Sequence, residues 1–166
     1  MKGGPFTGTI RSFGTWSKVI TLSGKQYLVG PGVDLSGMDL SNQDLSSVDL
    51  SRANLSNAKV DKTAFSTIDY WFKNTLTGGL TGTPTGLPTG FRYLSGMIIG
   101  KGVSLAGLNL DKFDFGSFRD LAGTNFTGAK VTNTSLTGGV NLQGANFTNA
   151  DLSNTSLAGA DLSIQF

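Results

Sequence analysis

Val33-Asp34-Leu35, Met38-Asp39-Leu40, Gln43-Asp44-Leu45 and Val48-Asp49-Leu50 follow one another at a strict interval of five residues. The same phase runs on through Ala53-Asn54-Leu55, Ala58-Lys59-Val60, Thr63-Ala64-Phe65 and Ile68-Asp69-Tyr70, giving eight units that each end on an apolar residue. A helix buries one face with a spacing of about 3.6 residues and a strand with a spacing of about 2, so a period of five fits neither. Internal repetition of this kind outranks local propensity and points to a molecule built by stacking one unit on the next.

A second array has the same phase. It runs Val103-Ser104-Leu105, Leu108-Asn109-Leu110 and Phe113-Asp114-Phe115, and after one extra residue Arg119-Asp120-Leu121, Thr124-Asn125-Phe126, Ala129-Lys130-Val131 and Thr134-Ser135-Leu136. A second extra residue precedes Val140-Asn141-Leu142, Ala145-Asn146-Phe147, Ala150-Asp151-Leu152, Thr155-Ser156-Leu157 and Ala160-Asp161-Leu162, completing twelve units.

These units resemble the pentapeptide-repeat family, whose pattern is A-(D/N)-L-x-x. Ala145-Asn146-Phe147, Ala150-Asp151-Leu152 and Ala160-Asp161-Leu162 match it almost letter for letter. The resemblance implies an all-β fold: a right-handed quadrilateral β-helix in which each pentapeptide forms one side and four make a coil. Twenty units then make about five coils, roughly 24 Å tall at the ~4.8 Å spacing of paired strands. The axis is expected to be filled by Leu35, Leu40, Leu45, Leu50, Leu55, Phe65, Leu105, Leu110, Phe115, Leu121, Phe126, Leu136, Leu142, Phe147, Leu152, Leu157 and Leu162, with a small residue two places before each. The two extra residues would stack at one corner of adjacent coils. Lys59 would lie beside Asp39 and Lys130 beside Asp151, surface ion pairs worth about 0.2–1 kcal/mol each.

Each array has a β-rich lead containing Ser-Gly. Val19 to Gly32 and Phe91 to Gly102 read as hairpins that cap or brace the coils that follow. Between the arrays, Thr77 to Gly90 is so rich in Gly, Thr and Pro that it is expected to leave the repeats as a loop. The chain thus divides into a basic N-terminal arm (1–17), a hairpin cap (18–32), a first array of two coils (33–70), a loop with a second hairpin (71–102) and a second array of three coils (103–166). One continuous column is expected, because a two-coil stack would bury little area. Trp71 and Phe72 are expected to plug the apolar interior beneath the loop.

The composition argues against catalysis. The chain has no Cys, His or Glu, and its acids are eleven aspartates. That removes thiolate nucleophiles, imidazole bases and the usual zinc ligands, and leaves Ser and Thr without an activating base. Asp34, Asp39, Asp44 and Asp49 fall on successive sides of a coil and cannot converge on one metal or one scissile bond; their spacing also lacks the alternation of a calcium loop. No enzyme activity, cofactor or metal is expected. The opening residues lack the apolar core of a signal peptide, and no run approaches the ~20 apolar residues of a membrane helix. No secretion by a signal peptide is expected and the location is otherwise unassigned: a virion if the protein is viral, the cytoplasm if it is not.

The function expected is a non-catalytic structural or protein-interaction module, with a virus or phage virion component, capsid-decorating or tail-associated, as the specific reading. Residues 1–33 carry Lys2, Arg11, Lys18 and Lys25 with no acid, while 131–166 carry Asp151 and Asp161 with no base. Lys2, Arg11, Trp16 and Lys18 in the arm, and Ile164 and Phe166 at the other end, are the candidate partner contacts, for a protein partner or a second copy. The alternative is a DNA-mimicking inhibitor or protector of a type II topoisomerase, which the family resemblance suggests and the net charge of +2 disfavours. An ice- or polysaccharide-binding face of stacked Thr is not offered, since Thr127, Thr132 and Thr137 lie on successive sides.

Overall fold

The computed structural model of the chain describes residues 16–163. They form an all-β molecule, without α-helix, in which short stretches of backbone return to pair in parallel every 20 to 22 residues, except across the second hairpin, where Leu76 and Ser104 are 28 apart. One column of bridges joins Asp34, Asn54, Leu76, Ser104, Asn125 and Asn146 in that order. A second joins Asp39, Lys59 and Thr81, and in the later repeats Asn109, Lys130 and Asp151. In between, Leu35 N–H donates to Asn54 O at 2.8 Å while Asn54 N–H donates to Val33 O at 2.9 Å, so each lap is held in both directions.

The second residue of most units is Asp or Asn, for a local reason. Its Oδ1 accepts the backbone N–H two residues on, at Asp34, Asp39, Asp44, Asp49 and Asn54 in the first array. The same bond recurs at Asn109, Asp114, Asp120, Asn125, Asn141, Asn146, Asp151 and Asp161 in the second. This turn bends the chain at each corner and occupies the carboxylate. The fifth residue is left-handed, which suits Asn42 and Asn57 but strains Arg52, Lys62 and Lys112, at φ 60°, 55° and 57°. Lys112→Gly is therefore expected to stabilise the fold by about 1 kcal/mol, the low end of the left-handed penalty for an L-residue. Urea unfolding of the two proteins side by side checks it.

Two antiparallel hairpins interrupt the repeats. β1 (Lys18–Leu22) pairs with β2 (Lys25–Val29) across Ser23-Gly24, whose φ of 48° and 76° give the doubly left-handed turn that matches strand twist. Two short parallel strands, β3 (Asp44–Leu45) and β4 (Ala64–Phe65), belong to the ladders. β5 (Arg92–Leu94) pairs with β6 (Met97–Ile99) across Ser95-Gly96, and β6 is buried throughout.

The stretch between the arrays does not loop away. Leu76, Thr81 and Thr85 bridge Asn54, Lys59 and Ala64, and Leu76 also bridges Ser104, so this lap carries the ladder from one array to the next. Leu80 is the one buried leucine of this lap, which reads as a loop because Leu or Phe does not recur there at five-residue spacing. In their place Thr hydroxyls bond the neighbouring lap: Thr75 Oγ1 donates to Leu50 O at 2.7 Å and Thr77 Oγ1 to Ile98 O at 2.8 Å. Gly82 lies so close to the first array that a Cβ would stand 2.6 Å from Asp61 N.

The eighth unit also differs from its sequence phase. Leu50 N–H donates to Trp71 O at 3.0 Å, so Phe72, fully buried, continues the column of Leu50, and Tyr70 turns outward with 65% exposure. A 3-10 turn, η1 (Asp69–Phe72), takes up the extra length there. Phe72 packs between Phe65 and Phe91, with ring centroids 5.8 and 5.5 Å away. Trp71 is buried as well.

Candidate interaction surfaces

Among the described residues, the apolar axis is covered at its N-terminal end and becomes progressively exposed toward residue 163. Leu35, Leu40, Leu45 and Leu50, in the first lap, are completely buried, as is Val29 of the hairpin packed with them, and Ile20 nearly so. Lys18 Nζ donates to Asp44 O at 2.6 Å and pairs with Asp44 Oδ2 at 3.1 Å, which fastens β1 to the first lap. Trp16 O accepts Asp49 N–H at 3.0 Å, and its ring, 52% exposed, lies 5.1 Å from that of Trp71. Of the contacts expected from the sequence, Trp16 and Lys18 thus help to hold the hairpin end. Lys2, Arg11, Ile164 and Phe166 lie outside the described residues.

Burial persists through Leu105, Leu110, Phe115, Leu121, Phe126, Leu136 and Leu142, and then decays. Phe147, Leu152 and Leu157 are only half-buried, and Leu162 is 49% exposed. No later lap among the described residues covers them. Phe147 lies flat on Phe126, centroids 4.7 Å apart and planes within 1°.

The outer faces are of mixed charge. Lys59 meets Asp39 at 3.3 Å, whereas Lys130, in bridge register with Asp151, acts on that carboxylate through its charge. The Ser46 hydroxyl, then the Ser46 N–H and then Lys18 bring the Asp44 pKa down to about 2. Thr132 and Asn133 lower that of Asp111, and Ser153 that of Asp151. A carboxylate depressed in the fold contributes stability that is complete above its unfolded pKa and lost as pH falls through the folded one. The melting temperature is therefore expected to hold from pH 7 to about 5 and to fall between about pH 4, the unfolded aspartate value, and about 2. Ser46→Ala should raise the Asp44 midpoint toward about 3.9, as read by carboxyl NMR titration.

Two concavities of several hundred Å3 lie on the described surface. The larger, about 750 Å3, lies between β5–β6 and residues 108–114; beside it the Arg92 guanidinium stands 5.8 Å from the centroid of the Phe118 ring. The smaller, about 410 Å3, is lined by Asp69, Tyr70, Lys73, Lys101, Gly102, Ala122 and Gly123. Tyr70 could be placed here only from the structure, because the five-residue phase turns it inward. At the next corner the two longer units meet, and Arg119 Nη1 donates to Gly138 O at 2.8 Å. Among the described residues no cluster of His, Cys, Asp and Glu could hold a metal, and no helix is long and apolar enough to cross a membrane.

The family model for pentapeptide repeats matches eight copies over residues 32–66 and 139–163. Over those residues the chain carries pentapeptide repeats. Proteins of this family are in general structural or interaction modules rather than enzymes. Among solved structures, the chain is similar to the pentapeptide repeat protein Rfr23 from the cyanobacterium Cyanothece 51142, at 19% identity and a TM-score of 0.23, covering 80% of this chain and 63% of that one. It is also similar to HetL, a pentapeptide repeat protein involved in heterocyst differentiation regulation from the cyanobacterium Nostoc sp. strain PCC 7120, at 20% identity and a TM-score of 0.23, covering 78% of this chain and 61% of that one. The chain therefore spans about three fifths of the length of each. No curated protein matches it in sequence.

Proposed function

We propose that the chain is a stiff, non-catalytic docking rod, a right-handed four-sided coil closed at its N-terminal end by β1–β2 and binding a protein partner through its C-terminal end. The observation that carries this is the decay of burial along the axis, from Leu142 at 1% to Leu162 at 49%. The first bridge column has six rungs, the lap between the arrays standing alongside the five supplied by the repeats. At the last described rung the N–H groups of Asn146 and Asp151 pair backward, to Thr124 O and Ala129 O; among the described residues nothing pairs with its forward edge, which we assign to a partner.

A second copy of the chain is the occupant this edge favours. Two copies meeting through it about a two-fold axis present the same residues to one another, a closed arrangement, whereas head-to-tail stacking is obstructed by the hairpin. A DNA-like acidic surface is not favoured, because Lys59 and Lys130 stand in the same bridge columns as Asp39 and Asp151.

Light scattering on the full chain at 1–100 μM should give about twice the 17.3 kDa chain mass, and Leu157→Asp should return it to 17.3 kDa. A wild-type monomer throughout would defeat self-association. Affinity capture with and without residues 1–17 then tests the larger setting. Capsid or tail proteins lost on truncation place the rod in a virion, while topoisomerase subunits bound equally by both forms transfer its function to the outer faces.

A further inference from the structure

We propose that the depression beside η1 binds an anionic sugar residue, such as a uronate or a phosphorylated hexose. Its wall is the exposed ring of Tyr70, held edge-on against buried Trp71 with centroids 6.2 Å apart and planes at 87°. A rigid, exposed aromatic face suits the apolar C–H side of a sugar ring. Lys73 and Lys101 reach the same space from adjacent laps, and among the described residues neither forms an ion pair, unlike Lys18 and Lys59. With Asp69 the one acid that lines this depression, the two ammonium groups leave it net positive, which suits a carboxylate or phosphate. Asp69 accepts the Tyr70 N–H through Oδ1 at 2.7 Å, which leaves its other oxygen to accept from sugar hydroxyls.

The floor is backbone. Gly102 and Gly123 are left-handed, at φ 74° and 65°, a conformation that Asn adopts at the equivalent corners Asn74 and Asn133. With glycine in both places the space above the backbone stays open; a Cβ on Gly102 would come no nearer than 3.8 Å to Lys73 Cα. Ring wall, paired cations, hydroxyl acceptor and open floor are together satisfied by an acidic sugar. Inorganic phosphate would leave Tyr70 unused, and neutral glucose would leave the lysines unused.

The test is titration of the full 15N-labelled chain with glucuronate and with glucose 6-phosphate, against glucose, inorganic phosphate and AMP. Both acidic sugars should saturate localised shifts at the Tyr70, Gly102 and Gly123 amides, at least about tenfold more tightly than glucose or phosphate. Tyr70→Ala and the double variant Lys73→Ala/Lys101→Ala should each weaken binding by about tenfold or more with the remaining spectrum unchanged. Gly102→Asn, which suits the backbone, should abolish binding by filling the floor. Phosphate binding as tight as the sugars (an ion site only), AMP binding tighter than either, or shifts indifferent to these variants would each overturn the proposal. Self-association is read separately by mass, so the two proposals fail independently.

Discussion

Phe126→Ala is expected to cost about 3–5 kcal/mol of stability, the range for removing a buried phenyl group from a packed core. Phe126 has no exposed surface and packs edge-on to Phe115 at 6.1 Å and flat on Phe147 at 4.7 Å. Its neighbours are held by backbone ladders and cannot collapse into the gap. For a chain of this size the loss corresponds to a fall in melting temperature of roughly 6–20 °C. Phe147→Ala, one lap further on and half-buried, should cost less than half as much. Equal costs for the two would mean that the C-terminal end is covered in solution, so the pair also measures how far that end is open. Both values come from chemical unfolding at a concentration low enough to keep the chain monomeric.

Gly82→Ala is expected to be the most damaging single-methyl change, at about 2–4 kcal/mol, combining left-handed strain with overpacking. Its φ is 83°, and the added Cβ would meet Asp61 N at 2.6 Å and Asp61 Cα at 2.7 Å, main-chain atoms fixed by their own ladder. Gly90→Ala is the matched control: φ is 87°, but a Cβ there meets nothing within 4 Å. It should cost only the left-handed penalty, about 1–2 kcal/mol. If the two were equal in thermal unfolding, the stretch between the arrays would not be packed against the first array as described.

The contrast between Gly82 and Leu35 shows what the sequence discloses. Wherever an inward Leu or Phe recurs with Asp or Asn before it, the register of the laps can be read directly, since one residue fills the axis and the other makes the turn. The Ser-Gly turns of the hairpins are legible for the same reason, as a local conformational demand. The lap from Thr75 to Thr85 is not, because its hydroxyls and close-packed glycines do the work elsewhere done by leucine, and neither has a period. Tyr70 is hidden differently: η1 shifts the phase, and only the ladder shows that Phe72 has taken the inward place. The depression beside it joins Lys73, Lys101 and Gly123, residues that no motif links.

Rungs that recur 20 or 21 residues apart in the second array also determine how the molecule yields to a pull. Every contact a lap makes along the axis is with the lap before or after it, so tension applied at the C-terminal end opens Asp161 from Asn141 and Ser156 from Ser135 without disturbing Asp34. Each released lap of 21 residues would lengthen the tether by about 70 Å, at ~3.3–3.6 Å per residue. Under load such a chain gives way as a row of catches, each taking up slack before the next is strained.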